Sequence, residues 1–127
     1  MTQPSLLNME FAVSPDGSYV MARATGQLTP ESAITDIRTL VEFINMTGLT
    51  KMLLDWREQQ DLFGTLPSID FANTLAQLMS PRYKFAVLVK VDLKEARFLE
   101  TVIVNRRVNA LFFNDHDEAL AWLGVAS

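Results

Sequence analysis

The sequence predicts a single α/β domain over residues 1–127, built on a mixed, mostly parallel β-sheet. Two short segments rich in apolar and β-branched residues flank Pro15, Asp16 and Gly17, which is the pattern of an N-terminal β-hairpin. Farther along, short continuous apolar runs alternate with segments of helical periodicity, as in βαβ units. We therefore expect a hairpin followed by βαβα units, with about five strands and about four helices.

The composition is that of an ordinary globular domain and excludes several classes of protein. Hydrophobic residues make up 49% of the chain and charged residues 20%, so its 127 residues can bury one core. The absence of cysteine excludes disulfides, thiolate metal sites and cysteine nucleophiles, and it favours a reducing compartment. No apolar run is long enough for a spanning helix and no signal peptide is recognisable, so we expect a cytoplasmic protein. The net charge of -4 argues against nucleic acid as a partner.

Turn and capping signals predict the hairpin and the first helix. The two hairpin strands are expected within residues 8–14 and 18–26. Thr29 before Pro30 predicts a helix start, because threonine caps the first N–H groups and proline has none to lose. Apolar residues then recur every three or four positions until Gly48, which ends the helix.

Capping signals also mark the last two helices. Asp92 and Asp115 each precede a helical segment with a glutamate three residues later, which is the spacing of a capping box. We expect helices over residues 93–107 and from residue 116 to Gly124. Short apolar runs predict the remaining strands at residues 51–56, 85–91 and 110–113.

The segment between the third and fourth strands is more apolar than a surface connection needs to be. A loop around Gly64 precedes a helix over residues 68–79, whose apolar side chains cover an arc of about 180° on a helical wheel. Such a helix either packs deeply against the sheet or covers a ligand, a partner or the membrane interface. For the ligand alternative, we expect the wall and gate of the site to be formed by Leu62, Phe63, Leu66, Phe71, Leu75 and Met79.

Three polar side chains are candidates for contact with a polar or anionic group of the ligand. Asp55 and Arg57 follow the third strand, at the end where ligands bind in open α/β sheets. Arg106 lies on the inward side of the last turn of its helix. The alternatives are an ion pair between Asp55 and Arg57, and a bond from Arg106 to the last helix carbonyls. Residues 82–107 carry seven basic and three acidic side chains, which favours weak peripheral contact with lipid head groups at the inner membrane surface.

No catalytic residue, metal site or cofactor is expected. The only histidine, His116, lies in the first turn of a helix without a neighbouring nucleophile, and the five glycines are dispersed rather than gathered in a phosphate loop. The alternative is a metal-assisted hydrolase in which Asp55, Asp92 and Asp115, at three strand ends, bind magnesium. Because the last two aspartates are explained as helix caps, the sequence favours a protein that is not an enzyme.

Three stretches, together with the order of elements, resemble the SpoIIAA-like proteins. They are LLDW at residues 53–56, ETVIVNRRVNALFF at residues 100–113 and DEALAWL at residues 117–123. These small bacterial domains are grouped with the STAS fold of sulphate transporters and anti-sigma-factor antagonists, and they are likened to the CRAL-TRIO lipid-binding fold. The resemblance implies a STAS-like sheet, and the CRAL-TRIO comparison implies an apolar ligand held between helices and sheet.

The sequence departs from the anti-sigma-factor antagonists at their regulatory site. Those proteins are phosphorylated on a serine at the start of the helix after the third strand, in an Asp-Ser-Ser-Gly-like context. Residues 62–66 of this chain read LFGTL, so only Thr65 or Ser68 could take that role. The usual phosphoserine switch is therefore not expected.

These observations lead to one functional hypothesis and one alternative. We expect a non-enzymatic binding module for an apolar or lipid-like ligand, gated by the loop and helix at residues 62–79. The alternative is a protein-interaction regulator of the anti-sigma-factor-antagonist type, in which the same apolar surface docks a protein. Phe43 and Met46 lie off the apolar stripe of the first helix and, with the broad apolar helix, they favour a homodimer.

Overall fold

The computed structural model describes residues 9–27, 30–60, 68–79, 82–90 and 93–125. Within these residues the chain is an α/β fold with a five-stranded mixed sheet and four helices, which confirms the predicted fold class. The strands are β1 (Met9–Val13), β2 (Val20–Gln27), β3 (Lys51–Gln60), β4 (Lys84–Leu88) and β5 (Ala110–Phe113). The helices are α1 (Pro30–Thr47), α2 (Ser68–Leu78), α3 (Leu93–Val104) and α4 (His116–Leu123).

The strands lie in the sheet in the order of the sequence. β1 pairs antiparallel with β2, and the pairs from β2 to β5 are all parallel. Each crossover between parallel strands is right-handed in almost all proteins, so a sheet that grows in one direction receives all its crossover helices on one face. α1, α2 and α3 accordingly contribute to one core, and α4 is the one described helix that packs on the other face.

The first hairpin is closed by a polar turn. Gly17 has a φ of 77°, a conformation that glycine adopts without steric cost, and its N–H donates to the Ser14 carbonyl at 2.9 Å. The Asp16 carboxylate accepts hydrogen bonds from the hydroxyls of Ser14 and Ser18 and from the Ser18 N–H. These bonds hold the pKa of Asp16 below its ordinary value. The predicted turn is therefore confirmed.

The larger core fills the space between the sheet and α1, α2 and α3. Each of its fully buried large side chains contributes about 2 kcal/mol relative to exposure to water. The largest are Trp56, Phe85, Phe112, Ile37, Leu40, Ile44, Met52, Leu54 and Leu75.

A smaller core lies on the opposite face under α4. Ala119, Leu120 and Leu123 of this helix are buried against Leu53 and Leu88 of the sheet. The helix has the predicted caps, because Asp115 accepts the Glu118 N–H at 3.0 Å and Gly124 adopts a left-handed φ of 76°. α4 contacts β3, β4 and β5. Met21 of β2 packs against the same core, but among the described residues the main contacts of α4 are with the other three strands, so α4 covers β1 and β2 less than these.

Three elements end at least three residues away from the predicted position. β3 continues beyond the apolar run to Gln60, because its polar end still pairs with β2 through residues 25–27 after a register shift. β4 ends at Leu88 rather than at residue 91. α3 ends at Val104, and the chain then turns through Arg107, whose φ is 66°. The predicted caps Thr29 and Asp92 lie outside the described residues. Within the described ranges, no helix combines the length and apolarity that crossing a membrane requires.

Candidate functional site

The half of the sheet face that α4 leaves open presents two rows of side chains. Residues paired across neighbouring strands project from the same face. Glu10 pairs with Arg23, and Arg23 pairs with Asp55, which makes a row of alternating charge. This row lies on the α4 face, since Asp55 also pairs with Leu88 of the smaller core. The next row on the same face is apolar and consists of Ala12, Met21 and Leu53.

These two rows line a cavity of about 290 Å³, which we call the open-face trough. Its apolar floor consists of Ala12, which is exposed, Met21, which is half-buried, and Leu53, which is buried. Its polar rim carries Glu10, Arg23, Asp55, Arg57 and His116. The trough thus offers an apolar surface bordered on one side by charges of both signs.

The strongest polar contact of the rim joins Asp55 and Arg57. The guanidinium donates from Nη2 to Asp55 Oδ2 at 2.8 Å and from Nε to Asp55 Oδ1 at 3.0 Å. The Arg57 backbone N–H also donates to Oδ1 at 3.0 Å. Side-on pairing of this kind fixes the plane of a guanidinium, so Arg57 has a defined orientation. The two candidates for polar ligand contact therefore form an ion pair with each other, which was the alternative predicted for them.

The charge states of this pair follow from its surroundings. Burial of the Asp55 carboxylate opposes ionisation, but hydrogen bonds from Arg57 and the positive charges of Arg57 and Arg23 hold the pKa of Asp55 below its ordinary value. The Asp55 carboxylate in turn raises the pKa of Arg57. Both groups are therefore ionised at neutral pH.

A second cavity, of about 330 Å³, adjoins the trough at the carboxyl ends of the strands. We call it the edge cavity. It shares Arg23, Asp55 and Arg57 with the trough and adds Glu58 and Lys90. Lys90 lies just beyond the end of β4. The five described residues that line it are all charged, three of them positively.

The predicted ligand wall is only partly within the described residues. Leu62, Phe63, Leu66 and Thr65 lie outside them. Phe71 belongs to α2, but its side chain and that of Ser68 are outside the description. Leu75 and Met79 are buried in the larger core, with 1% and 4% of their surfaces exposed. These two side chains pack deeply against the sheet, which was one of the two alternatives for this helix.

Arg106 lies apart from Asp55 and Arg57. Its Nε donates to Asn73 Oδ1 of α2, and its Nη1 donates to the Val102 carbonyl at 3.1 Å. It therefore binds one of the last carbonyls of α3 and joins two helices, which was the structural alternative for this residue.

Three of the described basic residues of segment 82–107 have different surroundings. Lys84 lies at the start of β4 and Lys90 beyond its end. The Lys84 ammonium donates to the Trp122 carbonyl and lies 4.6 Å from the centre of the Trp122 ring. Arg97 makes an ion pair with Glu100 at 2.7 Å. Of Lys84, Lys90 and Arg97, only Lys90 lines the edge cavity.

The remaining predicted residues are placed as follows. His116 is exposed at the start of α4, and its Nδ1 lies 3.9 Å from Oδ1 of Asp117. Phe43 packs against Phe11, with ring centres 4.5 Å apart, so its ring is used within the chain. Met46 is 81% exposed. In the described part of the chain, no three His, Cys, Asp or Glu side chains gather into a group that could hold a metal ion.

Sequence reasoning missed Arg23 and Met21 as parts of the site, and it included Lys90 only among the basic residues 82–107 that favour head-group contact. The alternation in β2 is a signal for Arg23 and Met21. Residues 20, 22 and 24 are apolar and face one side of the sheet, so residues 21 and 23 project from the other side. Lys90 gives no local signal, because only the pairing of β3 with β4 brings it to Arg57.

No protein-family model matches the sequence, and no curated protein matches it.

Proposed function

We propose that this protein is a non-enzymatic binding module for an apolar, lipid-like ligand with an anionic head group. The observation that carries the proposal is the open-face trough, in which Ala12, Met21 and Leu53 form an apolar floor beside the guanidinium groups of Arg23 and Arg57. Ligand sites are typically apolar surfaces with a few placed polar groups that orient the ligand. An apolar chain on this floor would direct its head group toward the two arginines.

The lining of the trough supports binding rather than catalysis. Among the described residues that line it there is no serine, threonine or cysteine to act as a nucleophile. Asp55 and Arg57 of the rim are ion-paired with each other, so neither of these two groups is poised to transfer a proton. The proposal uses the trough as the binding surface, and a gate formed by residues 62–79 stays a prediction.

Calorimetric titration with decanoate tests the proposal. We expect saturable binding to the unmodified protein and at least tenfold weaker binding to Ala12→Gln, because the longer polar side chain would occupy the apolar floor. Ala12 is exposed in an edge strand, so the substitution leaves the two cores intact. Ala121→Gln, the same change at an exposed position of α4 outside the trough, should bind decanoate like the unmodified protein.

Two results would count against the proposal. Equal decanoate affinity for Ala12→Gln and Ala121→Gln would place the ligand elsewhere. A lack of any saturable binding, combined with a defined protein complex that forms through the open face, would favour the protein-interaction regulator instead.

A further inference from the structure

We infer that the edge cavity is a binding site for a phosphate monoester dianion. The inference rests on the proposed function where it concerns the apolar part of the ligand, but the cavity itself can be tested with inorganic phosphate. Phosphate could come from the head group of a lipid-like ligand or from a free phosphate. The chemistry of recognition is the same in both cases.

The first argument is the balance of charge in the cavity. Arg23, Arg57 and Lys90 contribute three positive charges, and Asp55 neutralises that of Arg57 through a direct ion pair. Arg23 and Lys90 make no ion pair within 4.0 Å with the described residues. The negative charge of Glu58 brings the net charge of the described lining residues to +1, which favours an anion. Arg23 and Lys90 are the two cations that the two negative charges of a phosphate monoester would contact.

The second argument is the fixed orientation of Arg57. A guanidinium carries five N–H donors. Two of them are bonded to Asp55, which leaves three outside that pair. Because Asp55 already holds the group in place, an anion that binds the remaining donors does not have to order a flexible side chain. Asp55 is in this sense a positioning residue for Arg57.

The third argument is the position of the cavity beside the apolar floor. The edge cavity and the trough share Arg23, Asp55 and Arg57, so a head group in the cavity leaves its chain at the floor. An arginine binds two oxygens of a phosphate in a bidentate manner, and the phosphate keeps a further oxygen and a second negative charge for Arg23 and Lys90. A carboxylate has only two oxygens and one negative charge, so it satisfies these two cations less well. Phosphate is therefore favoured over carboxylate as the head group.

Glu58 is a negative charge in the cavity, and removing it tests whether phosphate affinity changes in the expected direction. It lines the cavity, is exposed and makes no ion pair within 4.0 Å with the described residues. Its negative charge should weaken phosphate binding, so Glu58→Gln should strengthen it several-fold. A change in this direction is not expected from a substitution that merely disturbs the fold.

The experiment is a titration of the full chain with orthophosphate at pH 7.5, followed by calorimetry and by phosphorus NMR. We expect the double variant Arg23→Gln, Lys90→Gln to bind phosphate at least tenfold more weakly than the unmodified protein. Arg38→Gln, which removes an exposed charge of α1 away from the cavity, is the matched control and should bind normally. All the substituted side chains are exposed, and circular dichroism checks that each variant is folded.

Decanol and decyl phosphate, titrated alongside, separate this inference from the proposed function. Decyl phosphate binding more tightly than either decanol or orthophosphate would support both. Decanol binding as tightly as decyl phosphate, with no binding of orthophosphate, would overturn the phosphate site and leave the apolar site standing. Orthophosphate binding as tightly as decyl phosphate, with no binding of decanol, would support a site for free phosphate and overturn the apolar function. Equal phosphate affinity for the double variant and Arg38→Gln would also overturn the phosphate site.

Discussion

Asp36 is a buried carboxylic acid. It lies in α1, only 3% of its surface is exposed, and no hydrogen-bond donor among the described residues reaches its Oδ1. Burial disfavours the charged form and raises the pKa of Asp36 to about 7. The folded protein therefore binds a proton at Asp36 more tightly than the unfolded chain does.

This pKa predicts how stability changes with pH. Between pH 4 and pH 7 the folded state keeps the Asp36 proton while the unfolded state has lost it, so the free energy of unfolding falls as pH rises. Above pH 7 both states are ionised and this contribution stays constant. The loss is on the order of 3 kcal/mol. We expect Asp36→Asn, which cannot ionise, to be similar in stability to the unmodified protein at pH 4 and more stable than it at pH 8 by about 3 kcal/mol, the amount that the unmodified protein has lost.

Urea unfolding at pH 4, 6 and 8 measures this effect. Asp117→Asn is the control, because the side chain of Asp117 is 84% exposed and its charge is solvated in the folded and the unfolded chain. Its stability should follow the same pH dependence as that of the unmodified protein. If Asp36→Asn retained that dependence as well, the buried carboxyl group would not be its source.

At the scale of elements, the outer edge of β5 is protected by a side chain. Exposed strand edges promote association with other chains, and proteins cover them in several ways. Here Glu100 of α3, with 9% of its surface exposed, accepts the Phe112 N–H at 2.7 Å. The same carboxylate is held by Arg97 Nη1 at 2.7 and 2.8 Å. The Ala110 N–H bonds to the Val108 carbonyl at 3.1 Å, so both outward amides of β5 have acceptors.

Removing this contact should weaken both stability and edge protection. We expect Glu100→Ala to lower the free energy of unfolding by about 2–3 kcal/mol, because a charged acceptor is lost and a buried N–H is left without it. Hydrogen exchange at the Phe112 amide should become faster than at Leu88, which lies inside the sheet. Glu42→Ala, at an exposed position of α1, is the matched control and should change neither quantity. Unchanged exchange at Phe112 would show that Glu100 does not cap the strand.

The elements show what the sequence could and could not predict. The apolar run of β5 was predicted at its observed bounds, Ala110–Phe113, since polar residues stand on both sides of it. The end of β3 was missed, because residues 57–60 are polar and extend as a strand only by pairing with β2. Glu100 gave no signal at all. Its role depends on the approach of α3 to the sheet edge, which no local pattern contains.

At the scale of the whole molecule, the candidate site depends on strand order. A rule that places ligands at the carboxyl ends of strands led to Asp55 and Arg57, and these residues do lie together. The same rule assumes a crevice where strand order reverses, and this sheet has no reversal. All three crossover helices share one face instead, and the single short α4 leaves part of the other face open. The trough therefore exists because the strands pair in the order of the sequence. This pairing order cannot be predicted from the individual residues.

Three helices cover one face of the sheet and α4 covers part of the other, so the two cores differ in size. Whether they unfold together can be predicted from the sheet between them. Both rest on the same strands, since Leu53 lies in the smaller core and its neighbours Met52 and Leu54 lie in the larger one. A shared sheet predicts one cooperative transition, as expected of a single domain of this size. The two tryptophans report on the two sides, because Trp56 is in the larger core and Trp122 packs against the smaller one.

The test removes one reporter and weakens the opposite core. In Trp122→Phe the fluorescence of Trp56 follows the larger core alone. Adding Leu120→Ala creates a cavity in the smaller core under α4, at a cost of about 3 kcal/mol. If the sheet couples the cores, the urea midpoint measured by Trp56 fluorescence should fall as far as the full loss of about 3 kcal/mol in the free energy of unfolding requires. Circular dichroism should give the same midpoint. An unmoved Trp56 transition, with an earlier loss of helical signal, would mean that α4 detaches on its own and that the open face can widen without unfolding the domain.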